Sequence, residues 1–453
     1  MIKKYIINKC GGGIMVPTLL PLLKRELSKQ VRLGYTPIVV VSAIKDVTDT
    51  LITFLNKAST PLNNKTSIQN IEDFIVQLRA MHLKLFKSIG VSAQIEINIS
   101  ASIEETLTFL LEDLKTYSNK NTSTELEAKI ISYGEKLSAI CSATYFSESD
   151  LKATAIFAED IPLLTDTVIK DANILYEESE KNIVSHVKNI KNIPVIAGFT
   201  GRTLQGVTTL LGRGGTDTTA CFVGAALRAH KVVLWKDVGA VYSADPRLVP
   251  KAHTIPFLSY DEIEEAGKII QGKAVRYLRQ YKISAEVASL MNSKDKTIIK
   301  DTKQTKLGAK MVSFKKNLTL FSLHQGEARG YERLFEISNL CARHKINVVL
   351  IWNDPAYLHI AVEDTSGMLS QLKEEVKIKF PKINIETVHM VTIVGSFTWK
   401  DVNVFNKILN TLDPKAVMGA YPYPKCMRME GIVLSKNDIA SLLCAMHKTF
   451  IHK

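Results

Sequence analysis

Short apolar runs rich in valine and isoleucine, at residues 5–7, 38–41, 194–197 and 232–235, recur between longer stretches whose apolar positions repeat at helical spacing. This alternation predicts an α/β fold with a mainly parallel sheet covered by helices on both faces, because strands buried on both sides read as continuous apolar runs. Glycine or small polar residues follow each run, and in open sheets of this kind ligands bind in the crevice beyond the strand ends. Residues 72–115 predict amphipathic helix, with Phe74, Leu78, Met81 and Leu85 as its core-facing stripe. Between residues 290 and 317 the pattern lapses into the polar, lysine-rich NSKDKTIIKDTKQTKLGAK, which marks a domain boundary. Beyond it, strand-like runs at 318–323, 347–352, 357–362, 389–397 and 429–435 alternate with helical stretches, including 333–344 and a last helix. The reading is a first domain over 1–300 and two small α+β units over 314–385 and 386–453, the final strands being able to return to the first unit.

The chain has 453 residues, 46% hydrophobic and 23% charged, a globular composition with room for two or three domains. Its formal charge of +13 comes from lysines spread along the chain among 45 acidic residues, which argues for compositional bias over a nucleic-acid stripe. The opening MIKKYIINKCGGG breaks its apolar stretch at Asn8 and Lys9, so no secretory leader is read, and no uncharged run approaches bilayer length. Six scattered cysteines without a CxxC pair point to reduced thiols, hence a cytoplasmic protein, and no metal-ligand cluster is read.

The strongest chemical signal is GFTGRTLQGVTTLLGRGGTDTTA at 198–220, which follows a strand and leads into helical TTACFVGAALRA. Its glycines let backbone N–H groups approach an anion, and Thr216 and Asp217 stand where a helix N-cap belongs, so the loop suits phosphate. Alone it could be a set of tight turns; it matches neither a Walker nor a dinucleotide fingerprint. Further motifs accompany it: KCGGG at 9–13, SAIKDVTD at 42–49, YGEKLS at 133–138 and LWKDVGAVYSADPR at 234–247.

In this order and spacing the motifs resemble those of the aspartate kinases, members of the amino-acid kinase superfamily that carry C-terminal ACT domains. The resemblance covers the first 290 residues closely and the remainder in architecture. It implies transfer of the ATP γ-phosphoryl group to the side chain of L-aspartate, with Mg2+ riding on the nucleotide, and a homodimer joined through ACT-like units. It further implies that Lys9 contacts the transferring group with Gly11 and Gly12 supplying donors, and that Ser42 and Thr48 line the aspartate pocket. Glu135 would hold the substrate ammonium and Arg213 its α-carboxylate. Gly214, Gly215, Thr216 and Asp217 would complete the site, Asp237, Tyr242 and Arg247 would meet the nucleotide, and Lys268 would be a second catalytic cation. The chemistry is consistent: a carboxylate with a pKa of about 4 is already a nucleophile at neutral pH, so cations are needed rather than a catalytic histidine. None of the ten histidines lies in these motifs.

Departures also stand out. KCGGGIM replaces the family's KFGGTSV, DVGAVY replaces DVDGVY, and Gln271 and Gly272 follow where HP is usual. In the C-terminal part Val349 replaces the carboxylate that grips an effector's ammonium in lysine-sensing relatives, so weak control by lysine and threonine is expected. Two rivals remain at this stage, a kinase for another acidic substrate and a catalytically silent amino-acid sensor.

Overall fold

The computed structural model describes residues 4–59, 68–118, 122–148, 151–237, 239–266, 269–292, 295–301, 308–324, 330–364, 367–396, 417–422, 428–434 and 439–451. The chain forms two compact units, one of Met1–Val241 with Thr254–Lys303 and the other of Tyr242–His253 with Gln304–Lys453.

The first unit is built on β1 (Lys4–Cys10), β2 (Tyr35–Val41), β3 (Ala153–Ile156), β4 (Ile193–Ala197), β7 (Lys231–Trp235), β8 (Phe257–Leu258), β9 (Ala285–Ala288) and β10 (Lys296–Ile299). They form one sheet in the order β3-β4-β2-β1-β7-β9-β10-β8, parallel except where β10 meets β9. The four runs read as strands from their apolar character are β1, β2, β4 and β7, and they lie side by side at the centre. A small hairpin of β5 (Thr200–Arg202) and β6 (Thr208–Leu210) stands apart from this sheet.

Two helices fix the faces of β1. Helix α1 (Leu20–Arg32) buries Leu20, Leu23 and Leu27, and its Gln30 exchanges reciprocal amide hydrogen bonds of 2.9 and 3.0 Å with Asn8 of β1. Helix α7 (Gly215–Ala226) covers the other face and is buried along its whole length. Its Gly224 lies so close to the sheet that a Cβ there would sit 2.5 Å from Val232 Cγ2. Helices α2 (Val47–Ser59), α3 (Ile68–Ile89), α4 (Ala93–Ser118) and α5 (Thr124–Ser147) fill one flank, and α6 (Tyr176–Asn189), α8 (Tyr260–Ala266) and α9 (Gly272–Tyr281) complete the unit. The single helical stretch expected over 72–115 is thus two helices, broken where Gly90 takes a φ of +78°. Phe74, Leu78 and Leu85 are buried in the core as expected, and Met81 is half-buried.

The second unit carries an antiparallel sheet of β11 (Gly308–His324), β12 (Asn347–Asn353), β13 (Tyr357–Glu363), β14 (Asn384–Ser396), β15 (Val417–Pro422) and β16 (Arg428–Leu434), ordered β12-β13-β11-β14-β16-β15. Under one part, α10 (Gly330–Arg343) and α11 (Leu369–Lys379) bury Ile337, Leu340, Leu372 and Val376 against Phe321, Ile360 and Val362. Elsewhere α12 (Ile439–Phe450) packs Ile439, Leu443 and Met446 on Val312, Val391 and Ile393. Ala244 and Val249 join this last cluster, and Ser243 lies 2.8 Å from His447 Nε2, so the segment Tyr242–His253 is held by apolar and polar contacts alike. No helix among the described residues is long and apolar enough to cross a membrane.

Candidate active site

The chemistry-bearing residues of the first unit gather at the carboxyl ends of β1, β2 and β7 and at the start of α7. Lys9 is the penultimate residue of β1, and its ammonium lies 2.7 Å from Oδ1 of Asp217 in the first turn of α7. Both side chains are more than nine-tenths buried, at 8% and 7% exposure. This is a close charge contact rather than an aligned hydrogen bond, since Oδ1 has no hydrogen-bond partner among the described residues. The carboxylate sits where the partial positive charge of a helix N-terminus favours an anion. Its other oxygen meets Lys236, a residue that motif reading passed over, at 3.3 Å.

The turn before α7 owes its shape to Gly214, whose φ of +73° lies in the left-handed region and whose missing side chain makes room for Gln271. Thr218 and Thr219 donate back to the carbonyls of Gly214 and Gly215 at 3.2 and 3.0 Å, and the Phe199 amide donates to Thr219 Oγ1 at 3.1 Å. These bonds fasten the loop after β4 to the helix start. Arg213 is exposed on the same turn.

The loop after β2 ties the other motifs to this helix. Its Ser42 hydroxyl donates to Thr216 Oγ1 at 2.8 Å, and the next amide, Ala43 N–H, donates to Glu135 Oε1 of α5 at 3.1 Å. Gly11 and Gly12 follow β1 alongside, with a Cβ on Gly11 falling 3.1 Å from Lys9 Nζ and one on Gly12 3.2 Å from the Ala43 carbonyl. Thr48 is half-buried in the first turn of α2. Lys9 with Asp217, Ser42 with Thr216, and Glu135 with Ala43 are therefore joined by direct contacts around the helix start, with Gly11 and Gly12 following Lys9 and Gly214 and Gly215 in the same turn.

The remaining expected residues stand elsewhere. Asp237 is exposed just beyond β7. Tyr242 and Arg247 belong to the second unit, where Arg247 is exposed and forms a bidentate contact with Asp245 at 2.7 and 3.0 Å. Lys268 lies outside the described residues.

Burial sets the electrostatics. Desolvation pushes Glu135 up to about 8 against the lowering effect of the Ala43 amide, and its Oε2 has no hydrogen-bond partner among the described residues. A buried carboxylate with an unmatched oxygen is suited to receive a cation. Burial likewise pushes the Cys10 thiol up to about 12 and raises Cys221, one turn along α7 from Asp217, which leaves both as unreactive packing groups.

Residues 4–301 match the model of the amino acid kinase family. The chain is 30% identical over 338 residues to an aspartokinase of Bacillus sp. (strain MGA3), spanning 71% of this chain and 81% of that one. It is 28% identical over 311 residues to an aspartokinase of Rickettsia felis, covering 65% of this chain but only 62% of the relative's length. Among solved structures, Escherichia coli aspartokinase III with lysine and aspartate superposes with a TM-score of 0.81 at 20% identity, covering 99% of each chain. The same enzyme with aspartate and ADP gives 0.78 at 19% identity, covering 98% of this chain and 99% of that one. The matched span holds the whole first-unit sheet and every contact just described, and the chain belongs to the amino acid kinase family, among its aspartokinases.

Proposed function

We propose that this chain transfers the γ-phosphoryl group of MgATP to the side-chain carboxylate of L-aspartate, giving 4-phospho-L-aspartate and ADP. The observation that carries this reading is the pair of hydrogen bonds from adjacent residues, Ser42 to Thr216 and Ala43 to Glu135. They connect an anion-favouring helix start to a buried acceptor for an ammonium group, which is what an amino acid approaching a phosphate requires.

In the reaction an aspartate side-chain oxygen attacks the γ-phosphorus, the bond to the β,γ-bridging oxygen breaks, and ADP leaves with that electron pair. No proton has to move, so the protein's work is positioning and stabilising charge. Lys9 faces the transferring group, with the amides of Gly11 and Gly12 beside it. Asp217 holds Lys9 in place, and the amides of Gly214, Gly215 and Thr216 favour negative charge at the helix start. Glu135 receives the substrate ammonium, Arg213 the α-carboxylate, and Ser42 and Thr48 the remaining wall. Asp237, Tyr242 and Arg247 are assigned to the nucleotide and Lys268 to its phosphates. Mg2+ enters with the nucleotide and neutralises part of its phosphate charge.

Support also comes from E. coli aspartokinase III, solved with aspartate and ADP. By the resemblance of the sequence to the aspartate kinases, residues 314–385 and 386–453 are read as ACT-like units joining two copies of the chain. The product would feed synthesis of aspartate-derived amino acids such as lysine, threonine or methionine, in the cytoplasm. Incubation with ATP, Mg2+, aspartate and hydroxylamine tests the chemistry, because hydroxylamine traps an acyl phosphate as a hydroxamate. Aspartate hydroxamate forming only when ATP and the chain are both present is expected; ADP release without hydroxamate would refute phosphoryl transfer to the aspartate carboxylate.

A further inference from the structure

Lys236 completes a charged cluster that the assigned roles do not use. The parallel register of β1 and β7 sets Lys9 beside Leu234, and side chains alternate along a strand. Lys236, two residues past Leu234, therefore projects to the same face as Lys9, the face covered by α7. The opposite face is taken by Asn8 and Trp235, whose indole donates to Asn8 Oδ1 at 3.1 Å. On the α7 face two ammonium groups flank one carboxylate, Lys9 at 2.7 Å from Oδ1 and Lys236 at 3.3 Å from Oδ2 of Asp217. Two positive charges against one negative leave an excess of one at the helix start, beside the turn of Gly11 and Gly12.

The two lysines are not equivalent. Lys9 is sealed at 8% exposure and in tight contact, whereas Lys236 is 26% exposed and sits at the longer distance. A partly solvated ammonium on a four-carbon stem changes partner readily, while a buried one is held by the carboxylate that neutralises it. We propose that Lys236 is a phosphate-contacting residue that passes from Asp217 to the phosphate oxygens of the nucleotide when it binds, Asp217 remaining with Lys9. This rests on the kinase reading for the nucleotide but not for the acceptor.

Equilibrium binding of ADP and of adenosine to the wild-type chain, Lys236→Met and Lys236→Arg tests the assignment. Loss of a charge-assisted contact to phosphate weakens ADP about tenfold or more in Lys236→Met and alters adenosine by less than about twofold, and Lys236→Arg restores most of the ADP affinity. If the Met variant fails to fold, Lys236→Gln carries the same comparison. Equal weakening of both ligands, or undiminished ADP affinity, would overturn the proposal, since a direct contact to phosphate acts on ADP and not on adenosine. The acceptor plays no part, so failure of aspartate as substrate leaves the test standing; a wild-type chain holding ADP no tighter than adenosine would overturn the kinase reading with it.

Discussion

The Ala43 amide donates to Glu135 Oε1 across 3.1 Å, joining the loop after β2 to the middle of α5, while the second oxygen of that carboxylate remains unmatched among the described residues. Burial raises Glu135 to about 8, so in the unliganded chain at neutral pH the carboxyl keeps its proton. A bound ammonium favours the ionised form, and binding then releases that proton. Aspartate affinity is expected to rise with pH up to about 8, by at most about tenfold per pH unit, and then to level off. Glu135→Gln should bind aspartate weakly and without that slope. Stability has the opposite sign: a raised carboxyl pKa contributes fully below its ordinary value of 4.5, and the contribution is lost as pH rises through about 8. Melting temperatures of the unliganded chain across this window, compared with Glu135→Gln, check the second half.

Lys9→Ala removes the cation from the buried pair with Asp217. A charge acting on the transferring group stabilises the transition state more than the ground state. Turnover is expected to fall more than about tenfold, roughly 1.4 kcal/mol in barrier, with a smaller change in the aspartate Michaelis constant. Steady-state kinetics with aspartate varied at saturating MgATP decide it, and an effect confined to a raised Michaelis constant would make Lys9 a binding residue only.

Arg213 is exposed on the turn before α7, so its replacement leaves the core untouched. Arg213→Ala is expected to keep the wild-type melting temperature and ADP affinity while raising the aspartate Michaelis constant about tenfold or more, as loss of a charged hydrogen bond does. An unchanged Michaelis constant would remove Arg213 from the substrate's α-carboxylate.

Gly214 combines a φ of +73° with a Cβ position only 2.3 Å from Gln271 Cγ. Gly214→Ala therefore meets backbone strain and a side-chain clash together, and is expected to lower stability by about 1 kcal/mol or more. Shortening Gln271 to Ala in the same chain should recover the steric part alone. Urea unfolding of the two single variants and the double variant separates the contributions.

The central strands were legible because burial on both faces leaves an uninterrupted apolar run, and the helix after the glycine-rich loop was legible from its glycines, although its N-cap is Gly214, with no side-chain cap, and Thr216 and Asp217 lie inside the first turn. Lys236 was not, since it lies just past the apolar run 232–235 and one lysine in a lysine-rich chain carries no signal of its own. Counting two residues on from Leu234 would have placed it with Lys9. The membership of Tyr242–His253 in the second unit was equally hidden, because Ala244 and Val249 meet partners some 60 to 200 positions away in the sequence. The break at Gly90 shows the reverse case, a local residue that a strong helical pattern outweighed.

Control by amino acids can be addressed from β12 and its turn. Val349 packs with the apolar cluster of Leu318, Leu320, Leu350 and Val388, and offers no charge to an effector. Asp354, the nearby carboxylate, is committed to its own turn: Oδ1 accepts from the Ala356 and Tyr357 amides at 2.8 and 2.7 Å, and Oδ2 faces His359 Nε2 at 3.1 Å. These contacts hold its pKa below the ordinary carboxylate range, His359 first among them. Lysine and threonine at millimolar concentration are therefore expected to inhibit weakly or not at all. Dose–response curves at subsaturating aspartate test this, and strong inhibition by lysine alone would place its acceptor at another carboxylate.

The most direct test of the central claim is ADP release in a coupled assay with MgATP and either aspartate, glutamate or no acceptor, run on the wild-type chain and on Glu135→Gln. Release that depends on aspartate, is much slower with glutamate, and collapses in Glu135→Gln is expected. Release that is no faster with aspartate than with no acceptor would contradict the proposed reaction.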